Sequence, residues 1–311
     1  MTDSTTTFAA DVRAELAAIA PANGCDRLAE LSALFHAAGN LHLRGRGAVT
    51  LHLDLGNSAV ARRSFALLRA LGIDAEIRTY ERHAFDRATR FQLHVPGTAA
   101  ALGTLVEAGV LDRQHGPLSR PPRRLVRRSC CRGAYLRGAF LAGGSLSVLH
   151  SPHLELRTAS RDGADFLCAL AEDGGIGLTA AERRGYAVAY AKSWEAIETL
   201  LGSAGAVDAV LALEERAVLA DARSQANRLA NADHANLVRT TRAAHEQLDA
   251  ARRLRAEGAL EALDDRLREA AELRLRYPAS SLAELAAKAD PPASKAGMHR
   301  RLRRIVDLAG D

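Results

Sequence analysis

The residues best equipped for chemistry lie near the end of the chain. From Lys295 to Arg304 the sequence carries five Lys or Arg and no acid. Within it Met298, Leu302 and Ile305 recur at i, i+4 and i+7, the spacing of one helix face. Ser294 stands where an N-cap belongs, so the spacing predicts a helix over 295–306. Its other face holds Lys295, His299, Arg300, Arg303 and Arg304. The positive end of such a helix and a capping hydroxyl suit a phosphate. Lys295, Ala296, His299 and Arg300 are close enough to that end to read base edges, whereas Arg301, Arg303 and Arg304 would hold the backbone. A merely solvated helix would show the same composition, so the preceding elements decide between the two readings.

Those elements favour nucleic acid. Leu267, Ala270, Ala271 and Leu275 mark one face of a helix that ends near Tyr277-Pro278. Ser281 with Glu284 forms a capping box that opens a second helix, 282–289, with Leu282, Leu285 and Ala286 inward. Asp290-Pro-Pro-Ala293 then breaks the chain. Two short helices before a basic third are the layout of a helix-turn-helix, whose last helix enters the major groove. Ser281 and Ser294 cap the two helices that would approach DNA. A second concentration of donors, Asn227, Arg228, Asn231, Asn236, Arg239 and Thr240, lies in a long polar-rich stretch, 221–254. It reads equally as DNA contact or as an exposed helix whose amides serve turns and interhelical hydrogen bonds.

Length and composition set the bounds. A chain of 311 residues predicts two or three domains. The net charge of +5 is modest, but Arg120–Arg132 holds six arginines and no acid, and uneven basic clusters point toward nucleic acid. No run of about 18 apolar residues would span a membrane, and the polar start, 1–7, does not resemble a signal peptide; both predict a cytoplasmic protein, which DNA binding would make nucleoid-associated. Cys25, Cys130, Cys131 and Cys168 show no CxxC spacing, and adjacent Cys130 and Cys131 are poorly suited to share a metal, so reduced, mostly buried thiols are expected. No cofactor, metal or catalytic residue is assigned.

The remaining pattern repeats. Residues 7–20 predict a helix, with Phe8, Val12, Leu16 and Ile19 on one face, Thr7 as cap and Pro21 as stop. Asp26 caps a small-residue helix over 27–38. Residues 40–44 and 49–55 alternate as a hairpin turning at 45–47. Ser58 caps a helix to Leu71, ended by Gly72. Residues 73–80 and 89–95 form a second hairpin with a basic tip, and Thr98 opens a helix to about Ala108. The order recurs after the linker: helix 132–143, strands 145–149 and 154–158, helix 161–172, strands 176–179 and 186–192, then a helix from Ser193 to Leu201. Gly39 and Gly144 end the two small-residue helices 105 residues apart. Gly138 and Ala142 stack on one face, which predicts close packing on a pseudo-twofold axis.

This repeat, led by Leu31–Gly39 and Leu136–Gly144, resembles the LAGLIDADG homing-endonuclease fold. The segment Arg223–Gln247, with its Asn-Arg, Asn, Asp, Ala-Asn-Leu and Ala-Ala spacing, and Ser294-Lys-Ala-Gly-Met298 resemble the WhiA family of bacterial regulators. The resemblance implies an α+β fold: a pseudo-twofold duplicated αββαββα (LAGLIDADG-like) domain followed by an all-α helix-turn-helix domain. The expected boundaries are an N-terminal helix at 1–21 and a duplicated domain at 22–205. The latter has halves 22–109 and 130–205 around an Arg/Pro-rich linker, 110–129. A helical connector at 206–260 and the helix-turn-helix at 261–311 follow. The resemblance also implies control of sporulation or cell-division genes, with promoter DNA, a WhiB-type regulator and RNA polymerase as partners. His299-Arg300 departs from the Asn-His pair usual in that family.

A LAGLIDADG nuclease needs a carboxylate at the end of each paired helix to hold divalent metal over the scissile phosphates. The matching register places Ala38 and Gly143 there, with His36 and Leu141 at the earlier acidic position. Asp54 and Glu155 are nearby strand carboxylates. No nuclease activity is expected. The outward polar positions Arg44, Arg46, His52, Arg78, Arg90, Gln92, Arg157 and Arg183 make the sheets a platform for weak DNA or protein contact. The readings that compete with a DNA-binding regulator are a chromosome-anchored scaffold and a metal-dependent endonuclease.

Overall fold

A computed structural model of the chain describes residues 4–44, 48–81, 89–148 and 151–310. They divide into two compact units, Met1–Leu219 and Ala220–Asp311. The first unit opens with α1 (Ser4–Ala18), so Thr7 lies inside the helix and does not cap it. Two halves of like order follow. The first is α2 (Gly24–Ala38), β1 (Gly39–Arg44), β2 (Ala48–Leu55), α3 (Ser58–Ala70), β3 (Glu76–Glu81), β4 (Thr89–Pro96) and α4 (Ala99–Glu107). The second is α5 (Ser129–Gly143), β5 (Gly144–Ser147), β6 (His153–Thr158), α6 (Arg161–Glu172), β7 (Thr179–Arg183), β8 (Tyr186–Ala191) and α7 (Trp194–Ala204). Both sheets are antiparallel with the same strand order, β1-β2-β4-β3 and β5-β6-β8-β7. This is the duplicated α+β architecture that the repeat predicts. The hairpin turn at 45–47, the basic tip at 82–88 and part of the β5–β6 turn, 149–150, lie outside the described residues.

Leu51, Leu53 and Leu55 of β2 and Leu93 and Val95 of β4 are buried against the helices, as alternation requires. The small-residue helices α2 and α5 pack backbone to backbone. A Cβ added at Gly138 would sit 2.5 Å from the Glu30 carbonyl oxygen and 2.9 Å from the Ala33 Cβ, so nothing larger than glycine fits without separating the helices. This seam buries an ionic triad. The Glu30 carboxylate accepts from Arg63 Nε at 3.0 Å and from Arg137 Nε and Nη2 at 2.9 and 2.7 Å, with Glu30 fully buried. Arg137 also donates to the Ala204 carbonyl at 3.0 Å, which ties the seam to the end of α7.

Several caps differ from the sequence expectation for identifiable reasons. Asn57, not Ser58, caps α3, because its carboxamide oxygen reaches two amides, Ala59 and Val60. Asn23 is the N-cap of α2, and Asp26 lies inside the first turn, where it accepts from the Asn23 side chain at 3.0 Å. Helix α5 begins at Ser129, three residues early, after a 3-10 turn over Arg123–Val126 in the linker. The sequence predicts a strand from Ile176. Its amide instead bonds the Ala171 carbonyl at 2.9 Å, and Gly175 takes φ +75, so this segment closes α6. Thr98, Ser160 and Ser193 cap their helices through their hydroxyls.

Beyond α7 the chain forms one 50-residue helix, α8 (Val207–Ala256), within which the division into units falls. Glu15 of α1 accepts from the amides of Asp208 and Ala209 at 2.8 and 3.0 Å, satisfying two donors at the start of α8. A 3-10 turn (Ala259–Ala262), α9 (Asp265–Arg276), α10 (Leu282–Ala287) and α11 (Lys295–Leu308) complete the second unit. Its core joins Ala250, Ala251 and Leu254 of α8 to Ala270 and Ala271 of α9, Leu285 and Ala286 of α10, and Met298, Leu302 and Ile305 of α11.

Candidate nucleic-acid interface

The geometry of the second unit is fixed by two polar anchors that periodicity does not reveal. Arg274 of α9 is 2% exposed. Its guanidinium donates to Gln247 Oε1 of α8 at 2.9 Å and to the Ser280 carbonyl at 2.7 Å. It thereby holds the turn that leads into α10; burial depresses its pKa from the ordinary value. At that turn the Ser281–Glu284 capping box forms in both directions. Helix α10 ends two residues before the expected Ala289, because the chain folds back: the Ala293 amide bonds the Ala286 carbonyl at 2.9 Å. Glu269 is the second anchor. One of its oxygens accepts from the Asp290 amide and the other lies 3.5 Å from Arg301.

Helix α11 then presents its basic face. The Ser294 hydroxyl accepts from the Gly297 amide at 3.0 Å. Met298, Leu302 and Ile305 are fully buried. Lys295, Ala296, His299, Arg300, Arg303 and Arg304 are exposed together on the surface, and Ser281 and Ser294 are exposed at the two caps. Arg301 departs from this group: its side chain is 20% exposed and turned to Glu269.

The donors of α8 are also exposed at Arg228, Asn231, Asn236, Arg239 and Thr240. Several serve their own helix. Asn236 Oδ1 accepts from Arg239, whose Nε also donates to the Ala235 carbonyl at 3.2 Å. The Thr240 hydroxyl is 2.9 Å from the Asn236 and Leu237 carbonyls.

In the first unit, the ends of α2 and α5 open into a cleft of about 570 Å³ lined by Ala38, Gly143, Asp54, Glu155, Arg90 and Arg157, among others. Strand alternation therefore brings Asp54 and Glu155 into this cleft, but each is held by protein groups. Asp54 accepts from the Tyr80 hydroxyl. Glu155 accepts from His153 Nε2 at 2.9 Å and lies 3.4 Å from Arg183; His153 and then Arg183 hold its carboxyl below the usual range. A Cβ at Gly143 would sit 2.9 Å from the Arg157 carbonyl oxygen, so a carboxylate side chain there would displace β6. On the first sheet Arg78 pairs with Glu76 at 2.9 Å, and His52 is buried between His42 and His94, with ring centroids 4.3 and 3.9 Å away. His52 is therefore no contact residue. Arg157 lies over the Tyr186 ring at 4.0 Å. Gln92 is half-buried on β4. Arg44 pairs with Ala48 across the hairpin, and Arg46 lies outside the described residues.

His36, at the earlier acidic position of the α2 motif, is half-buried beside Ser32 and Tyr135, with Nδ1 at 3.3 and 3.4 Å from their hydroxyls. Burial lowers its pKa to about 4. The structure also brings Cys25, Asp26, Cys130 and Cys131 together, with one ligand atom from each within 4.8 Å of the others, although adjacency had argued against Cys130 and Cys131 sharing a site. Burial and then hydrogen bonds with Cys25 and Asp26 push the Cys131 thiol up, and a hydrogen bond to Asp26 raises that of Cys130. The 105-residue repeat holds the signal: Cys25 and Cys130 occupy equivalent positions, as do Asp26 and Cys131. Among the described residues no helix is long and apolar enough to cross a membrane.

Comparison with known proteins covers both units. Residues 24–107 match the WhiA N-terminal LAGLIDADG-like domain, 132–223 the WhiA LAGLIDADG-like domain, and 226–309 the WhiA C-terminal HTH domain. A probable cell division protein WhiA from Heliobacterium modesticaldum is 36% identical over 304 residues, covering 97% of this chain and 95% of its own. One from Symbiobacterium thermophilum is 36% identical over 306 residues, covering 97% of each. The crystal structure of full-length DUF199/WhiA from Thermatoga maritima shares the fold, with a TM-score of 0.56 at 22% identity over 96% of each chain.

Proposed function

This chain belongs to the WhiA family, and on that premise we propose that it is a sequence-specific double-stranded-DNA-binding transcription regulator without nuclease activity. The observation that carries the reading is the exposed face of α11, where Lys295, His299, Arg300, Arg303 and Arg304 surround a helix start capped by Ser294. A helix of this kind, backed by a buried apolar face and preceded by a capped short helix, fits the major groove by its first two turns. Lys295, Ala296, His299 and Arg300 read bases; Arg303 and Arg304 hold phosphates, and Ser281, at the start of α10, contacts the backbone as well. Arg301 is assigned to positioning α11 through Glu269. Arg228, Asn231, Asn236, Arg239 and Thr240 extend the contact along α8. The genes under control are those of sporulation or cell division, at promoters shared with RNA polymerase and a WhiB-type regulator.

The absence of nuclease activity is supported by Ala38 and Gly143 at the helix ends and by the crowding of position 143 against β6. Plasmid incubated with the protein and magnesium, with and without chelator, should remain unnicked.

Footprinting on genomic DNA tests the main reading. The protein should protect discrete sites, Lys295→Ala and Arg300→Ala should lose site preference, and Arg304→Ala should weaken all DNA by a similar factor. Equal affinity for genomic and random fragments would refute sequence specificity. Discrete sites with transcript profiles unchanged on deletion would favour a chromosome-anchored scaffold acting through protein contacts.

A further inference from the structure

We propose that Cys25, Asp26, Cys130 and Cys131 form a tetrahedral site for a soft divalent cation, zinc being the best fit, that clamps the N-terminal ends of α2 and α5 together. The site lies at the opposite end of these helices from the Ala38–Gly143 cleft. It rests on the geometry of the first unit and is independent of DNA binding.

The ligand set is chemically suited to zinc, which favours thiolates and accepts a carboxylate. Distances agree as well. A tetrahedral zinc with Zn–S of about 2.3 Å places two sulfurs about 3.8 Å apart, and a sulfur and a carboxylate oxygen about 3.5 Å apart. The Cys130 and Cys131 sulfurs are 3.8 Å apart, and Cys25 Sγ is 3.6 Å from Asp26 Oδ1. All four ligand atoms fall within 4.8 Å of one another, so closing the set around an ion needs side-chain adjustments of about 1 Å.

The surroundings prepare the site. Cys25 and Asp26 are the second and third residues of α2, and Cys130 and Cys131 hold the same places in α5. Neither helix has a side-chain cap, since Asn23 and Arg128 make no capping hydrogen bond. Two positive helix ends therefore meet a group of ligands that become anionic on binding. The Asn23 side chain, at the N-cap of α2, is turned to Asp26 and not to the helix amides. It holds Asp26 Oδ2 at 3.0 Å and leaves Oδ1 on the side of Cys25, the kind of outer contact that orients metal ligands. Cys131 is buried, Cys25 half-buried and Cys130 exposed, which gives a cation a route from solvent.

The experiment uses the full chain, reduced, stripped with chelator and titrated with cobalt(II), then zinc. The expected result is one cobalt per chain, with sulfur-to-cobalt charge-transfer bands and the strong visible bands of a tetrahedral ion, all bleached by one zinc. Cys130→Ser, a change at an exposed position, should weaken zinc by more than the 10- to 100-fold typical of an outer-contact change. It should also abolish the rise in melting temperature that zinc gives the parent protein. Cys168→Ser, outside the cluster, should change neither. Asp26→Asn should keep the sulfur bands while weakening binding. Absence of the bands, or band intensity and cobalt affinity unchanged in both Cys130→Ser and Cys25→Ser, would overturn the site. So would a stable disulfide among the three cysteines with no zinc uptake after reduction.

Discussion

Five cations ride on α11, and the structure separates one from the rest. Lys295, Arg300, Arg303 and Arg304 are exposed, whereas Arg301 is 20% exposed and 3.5 Å from Glu269. Each phosphate contact that releases a counterion adds about 0.9 to the slope of log affinity against log salt. Losing one contact therefore removes roughly a 3- to 4-fold share of the affinity change between about 50 and 200 mM salt. Arg304→Ala should flatten the slope by about 0.9, and Arg303→Ala by a similar amount. Arg301→Ala should leave the slope almost unchanged, because its charge is spent on Glu269. It should instead lower the melting temperature of the second unit by loosening α11 from α9. Fluorescence anisotropy with one duplex over a salt series, beside a thermal melt of each variant, measures both effects. A flattening by Arg301→Ala equal to that of Arg304→Ala would refute the assignment of Arg301 as a positioning residue.

Glu30→Ala leaves two guanidinium groups buried without their carboxylate, which should cost about 3–5 kcal/mol. Urea unfolding followed by the single tryptophan, Trp194 in the first unit, reads this directly, and replacing Glu30, Arg63 and Arg137 together by apolar residues should recover most of it, less the contact to the Ala204 carbonyl. His36 is held near pKa 4 against an ordinary 6.5, so the unfolded chain takes up a proton that the fold resists. Stability should be intact above about pH 6.5 and fall by up to about 3 kcal/mol as the pH drops to about 4. His36→Gln should remove that part of the pH dependence in the same unfolding assay. Gly138→Val forces a side chain into the 2.5 Å gap at the Glu30 carbonyl and should cost about 1–3 kcal/mol through overpacking, measured by the same fluorescence.

Much of this architecture was legible in the sequence, because it rests on local patterns that repeat. Alternating Leu51, Leu53 and Leu55 need one sheet face, and the Ser281–Glu284 box needs only four residues in sequence. Met298, Leu302 and Ile305 needed only helical periodicity to find the core. What escaped was long-range or a matter of one residue's reach. Asn57 and Ser58 are equally good caps by type, and only the backbone decides which stands outside the helix. Arg301 shares its composition with Arg304, and Glu269, 32 residues away, separates them. Cys25 and Cys130 meet only because the two helix starts meet. The repeat spacing of 105 residues makes the thiol positions equivalent, but only the packed helix starts bring them within reach of one another.

The buried triad gives the seam between α2 and α5 a direction. Positions 30 and 135 are equivalent in the repeat, as are 32 and 137, yet they hold Glu and Tyr, and Ser and Arg. Two copies of α2 facing one another would bring two carboxylates together without Arg137; two copies of α5 would confront two arginines without Glu30. Arg137 thus finds its carboxylate only in the other half, whereas Glu30 keeps Arg63 of its own half. An exchange of halves between neighbouring chains must reproduce the same unlike pairing, and a homodimer of the second half is disfavoured by the arginines it would bury without a carboxylate.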